Sequence, residues 1–62
     1  MSFSVDLLVN GKVRVSDQDD DAPMLTLEFH NEFAQLSDWD KLDIASEAAA
    51  EALRRLHKNN EQ

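Results

Sequence analysis

The chain contains a single glycine, Gly11, which follows Asn10 between two stretches where apolar and polar residues alternate. Asn-Gly in that setting signals a β-hairpin, because both residues tolerate the left-handed backbone that tight antiparallel turns require. Phe3, Val5 and Leu7 share one face of the first stretch, with Ser4 and Asp6 on the other. A two-residue turn over Asn10 and Gly11 would pair Val9 with Lys12 and Asp6 with Val15. That register sends Val13 and Val15 away from Phe3, Val5 and Leu7 and splits the apolar surface. A type I turn over Val9 and Asn10, with Gly11 left-handed in a bulge, instead pairs Leu7 with Val13 and Val5 with Val15, and sets Asp6 opposite Arg14. Only this register gathers the apolar side chains on one face, so the bulged hairpin is expected, with strands at about 3–8 and 12–16.

Residues 16–23, SDQDDDAP, interrupt the alternation with charge and close on Pro23, which marks a loop. Alternation resumes from Met24 to His30, with Leu25, Leu27 and Phe29 on one face, and predicts a third strand at about 24–30. Residues 31–36 read as a short connection or single helical turn carrying Phe33 and Leu36. Ser37 then suits an N-cap, with Asp40 three residues on in the manner of a capping box. A helix over about 38–58 places Leu42, Ala45, Ala49, Leu53 and Leu56 on one stripe, flanked by Trp39 and Ala52, to cover the sheet. Its acids (Asp38, Asp40, Asp43) crowd the first half and its bases (Arg54, Arg55, Lys58) the last turns, as the helix dipole prefers. Glu51 and Arg55 form an i, i+4 pair, and residues 59–62 read as a frayed tail. The expected architecture is α+β: one domain spanning 1–62, a three-stranded antiparallel meander covered on one face by a long C-terminal helix.

Size and charge narrow the function. A chain of 62 residues buries only about 60% of the surface its unfolded form exposes, and with no cysteine it has no disulfide to compensate. A second copy of itself is one remedy, and the two exposed sheet edges and the Ala-rich helix make a homodimer the alternative reading, as a structural or assembly component. No apolar stretch reaches the roughly 18 residues that span a bilayer, and the N-terminus lacks the charge pattern of a secretory signal, so the expected setting is the cytoplasm. Thirteen acidic and six basic residues give a formal charge of −7, which argues against direct binding to nucleic acid or an anionic membrane. The expected partner is another protein with a basic surface.

Catalysis is not expected. There is no Cys or Tyr, and His30 and His57 lie on different elements without an evident nucleophile. His30 and Glu28 suit a surface pair on the third strand, and His57 suits the dipole of the last helical turn. The lone glycine rules out a phosphate-cradling glycine loop, and a domain this small is not expected to enclose a ligand pocket of ~300 Å³. No catalytic residue, cofactor or metal is assigned.

Three readings meet at the acidic loop, where Asp17, Asp19, Asp20 and Asp21 place −4 of the net −7 within residues 17–21. The first is a solvated turn that keeps the protein soluble. The second is calcium: Asp17, Asp19 and Asp21 take the first, third and fifth places of an EF-hand-like loop and Glu28 the twelfth. Ala22 stands there where glycine is needed, and the flanks read as strands. The third is recognition, with the carboxylates imitating a run of phosphates toward a basic groove on a nucleic-acid-handling protein. In style, a short acidic chain of this kind resembles accessory proteins of phages and plasmids, a likeness of size and charge that assigns no residue. The function expected from the sequence is thus that of a small acidic protein-binding regulator or inhibitor. Apolar residues off the core face are the second place for contact: Ile44 with Ala48 on the helix, and Leu8 and Met24 on the outward face of the sheet.

Overall fold

A computed structural model describes residues 2–60 and shows the α+β architecture. Strands β1 (Phe3–Leu7), β2 (Val13–Asp17) and β3 (Pro23–Leu27) form an antiparallel sheet in the order β1-β2-β3. A 3-10 turn, Asn31–Gln35, leads into the helix α1, Asp38–Asn60. β1 and β3 end earlier than the alternation suggests, β2 keeps the expected length one residue later, β3 begins on Pro23, which was assigned to the loop, and α1 is longer, so that Asn59 and Asn60 are helical. The rest of the predicted tail lies outside the described residues.

The hairpin adopts the bulged register. Leu7 pairs with Val13, Val5 with Val15 and Asp6 with Arg14. The Gly11 N–H donates to Leu8 O (3.0 Å), and Leu8 N–H donates to Lys12 O (2.8 Å). Gly11 has φ +85°, a region that costs most L side chains about 1–2 kcal/mol. An added Cβ there would meet Lys41 Nζ only at 3.9 Å, ordinary contact, so backbone conformation and not crowding requires the glycine. Between β2 and β3, Val15 pairs with Leu25 but Ser16 with Pro23, which leaves Met24 as the extra residue of a β-bulge.

The core is thin. Val13 and Val15, on the central strand, are fully buried together with Ala45 and Ala49 of α1, and Phe3, Val5, Leu7, Leu25, Leu27, Phe29 and Leu42 pack around them half-buried. The two alanines let the helix approach the sheet closely. The outer face is polar and carries ion pairs: Arg14–Asp6 (4.0 Å), Lys12–Glu28 (4.0 Å) and the expected His30–Glu28 pair (3.5 Å).

Two parts of the expected helix face are corrected. Leu56 and Trp39, assigned to it, are 52% and 82% exposed, and Ala52 is exposed as well. A helix of 23 residues runs for about 34 Å, whereas a five-residue strand covers about 17 Å. The last turns of α1 therefore project past the sheet, and Leu56, on the core stripe, is left half exposed. Trp39 lies too far around the helix to reach the sheet. In its place Lys41 is buried, with its Nζ 5.8 Å from the centre of the Phe29 ring. Its aliphatic stem supplies the burial and its ammonium lies over the aromatic face.

Candidate functional site

The acidic loop is an ordered turn. Asp17 N–H donates to Ala22 O (2.8 Å) and Asp21 N–H to Asp17 O (2.9 Å), closing the chain on itself at the end of β2. Two side chains hold it from within: Asp17 Oδ1 accepts from Asp19 N–H (2.8 Å), and Asp20 Oδ1 accepts from Ala22 N–H (3.1 Å). These are Asx turns, in which a short carboxylate satisfies a backbone donor two residues on. Asp21 sits at φ +60°, the left-handed region. Asp19, Asp20 and Asp21 are exposed and Asp17 is half-buried.

Among the described residues, no ion pair within 4.0 Å involves Asp17, Asp19, Asp20 or Asp21. The contrast lies on α1, where Glu51 Oε1 accepts from Arg55 Nε (2.9 Å) and Glu51 also bonds Arg54. Those two guanidinium groups hold the Glu51 carboxyl down at about 2, first through their hydrogen bonds and then through their charge. Among the described residues the loop has no such counter-charge, and Asp19, Asp20 and Asp21 face solvent.

The EF-hand-like arrangement is not assembled. Glu28, its twelfth place, is turned to Lys12 and His30 on the outer face of the sheet. Among the described residues no three acidic or histidine side chains converge as a metal site would need. His30 and His57 stay on separate parts of the chain, and among the described residues neither hydrogen-bonds a hydroxyl side chain.

The apolar candidates separate. Ile44 is 40% exposed with half-buried Ala48 beside it. Leu8 and Met24, expected as open apolar groups, are half-buried: Leu8 closes the hairpin against Lys12, and Met24 is displaced by the bulge. The three do not join into one patch. Lys41 reaches Phe29 just beyond β3, and Ile44 and Ala48 lie three and seven residues after it, so they share its side of α1. That is the β3 flank.

The opposite flank of α1 holds a feature the sequence did not single out. Trp39, Asp40, Leu42, Asp43 and Ser46 line an open trough of about 410 Å³, larger than expected for so small a domain but unenclosed. Spacings of three and four residues put Trp39, Leu42, Asp43 and Ser46 on adjacent turns. The missed signal was Trp39 itself: the periodicity that placed it beside the core stripe also placed it near Asp43. Ser46 Oγ donates to Leu42 O (2.9 Å), so its hydroxyl is satisfied within the helix.

No helix among the described residues is long and apolar enough to cross a membrane. Comparison with protein-family models, curated proteins and solved structures finds no match to this chain.

Proposed function

We propose that this chain is a non-catalytic protein-binding regulator or inhibitor of the cytoplasm, and that its acidic turn engages a basic surface on a nucleic-acid-handling protein, as a mimic of the phosphate backbone. One observation carries this reading: Asp17, Asp19, Asp20 and Asp21 stand on a pre-formed turn, and among the described residues none of them pairs with a cation of the chain itself. An ordered turn loses little conformational entropy when it binds, and an uncompensated field raises the rate of encounter with a basic partner. Asp21 adds an exposed carboxylate to the turn at φ +60°, a left-handed conformation that aspartate, like asparagine, tolerates.

Substituting all four aspartates by asparagine gives a clean test. Asn Oδ1 accepts the same Asx hydrogen bonds and tolerates the left-handed region, so charge is removed while the turn is retained. A partner recovered from the native host by the wild-type chain at low salt, and lost both at high salt and with the quadruple variant, supports the reading. A partner held equally by the variant overturns it.

A further inference from the structure

We propose that the free edge of β1 and the Trp39 flank of α1 form one continuous interface with a second copy of this chain. In this dimer β1 pairs antiparallel with β1 of the second copy and the two α1 helices lie antiparallel above the seam. The inference does not rest on the acidic loop.

The surface area comes first. A compact monomer of 7.0 kDa exposes about 4,000 Å². This chain exposes 4784 Å², and its extents of 40 × 22 × 14 Å show the helix overrunning a thin sheet. The excess, roughly 700–800 Å², matches the ~800 Å² each partner contributes to a standard interface.

The two sheet edges differ. β3 opens on Pro23, which has no N–H to offer, and carries the bulge at Met24, two devices that discourage pairing. β1 has neither. Because Leu8 donates to Lys12 across the hairpin, the even-numbered residues of β1 face β2, and Phe3, Val5 and Leu7 turn their backbone groups to the open edge.

The helix position fits that seam. α1 packs on β1 and β2 rather than centrally over the sheet, so its axis stands about half a strand spacing inside β1. Strands about 4.8 Å apart across a two-fold axis then bring the two helix axes to about 10 Å, near the upper end of ordinary helix packing. Val5 is the middle of β1, and the helix turns above the sheet are those of Ala45 and Ala49, so an axis through Val5 crosses the open flank of α1 at about the level of residues 47–48. Antiparallel helices related there oppose Ser46 to Ala50 of the second copy, small residues that permit the approach. Trp39 then meets His57 of the second copy, and Asp43 lies by its Arg54.

Charge favours the same orientation. Asp38, Asp40, Asp43 and Glu47 occupy the first half of α1, and Arg54, Arg55 and Lys58 the second. Antiparallel packing sets each acidic half beside a basic half, while parallel packing would set like on like.

Sedimentation of the full chain across micromolar concentrations, with Trp39 fluorescence followed on dilution, tests the dimer, since Trp39 is the only tryptophan. A mass about twice 7.0 kDa, falling on dilution with a red shift of the emission, is expected. Ser46→Arg should weaken association more than about tenfold with the helical circular dichroism unchanged, because that position lies on an open flank. The native chain has no cysteine, so Ser46→Cys with Ala50→Cys should yield a covalent dimer on oxidation. The quadruple asparagine variant should dimerise as wild type, which separates this interface from the acidic turn. A chain that stays at 7.0 kDa throughout, or a dimer indifferent to Ser46→Arg and uncrosslinked by the cysteine pair, overturns the proposal.

Discussion

The two connections of the sheet solve the same backbone problem with different residues. Both place one residue at positive φ: Gly11 at +85° in the β1-β2 hairpin, Asp21 at +60° in the β2-β3 turn. At the hairpin the residue is the one physics prefers, and the turn carries little charge. At the other end an aspartate holds the position, and carboxylates supply the internal hydrogen bonds. Asparagine and aspartate both tolerate the left-handed region and both form Asx hydrogen bonds, as Asn10 does to Lys12 N–H in the hairpin (3.0 Å). The difference separates a connection that is nearly neutral from one that concentrates negative charge.

The largest effect should come from breaking the hairpin. Gly11→Val forces a β-branched residue into the left-handed region and should destabilise by roughly 2 kcal/mol or more, enough to unfold much of so small a domain. Denaturant unfolding would read it, with Gly11→Asn much milder. Next is Asp17→Ala, which removes the acceptor for Asp19 N–H and should cost about 0.5–1.5 kcal/mol, whereas Asp17→Asn should be nearly silent. Asp21→Gly is expected to move the other way, relieving strain and stabilising by up to about 1 kcal/mol while removing one charge. If it destabilises instead, backbone strain at a left-handed residue is not what the two turns have in common.

The smallest effect concerns the paired carboxylate that contrasts with the loop. Glu51 titrates at about 2 in the folded chain, against an ordinary value of 4.5. A depressed folded value means that its contribution is present above about 4.5 and is lost as pH falls toward 2. Because the group is fully exposed, the shift should appear as a displaced carboxyl resonance in an NMR titration, with little change in the melting temperature. Glu51→Gln should abolish that resonance and loosen Arg54 and Arg55.

Local rules carried the hairpin register, the helix start and the two-layer architecture. Asn10-Gly11 admits two registers, and only one puts Val13 and Val15 with Phe3, Val5 and Leu7; the strands pair that way. Ser37 Oγ accepts from Asp40 N–H (3.1 Å), as the cap pattern required. The acidic turn was visible as charge, but its hydrogen bonds were not, because they depend on backbone angles that four neighbouring aspartates do not fix.

What the sequence determined by itself was angular: period two sorts strand residues by face, and period 3.6 sorts helix residues by direction. Position along an axis belongs to the tertiary structure alone. Leu56 points toward the core side and stays exposed, because the sheet ends before the helix does. Lys41 is charged and still buried, because its long stem lies along the sheet toward Phe29. The trough at Trp39 has the same origin. A helix seated over β1 and β2 leaves one flank hanging at the open edge, and no periodicity within a single element reports where another element stops.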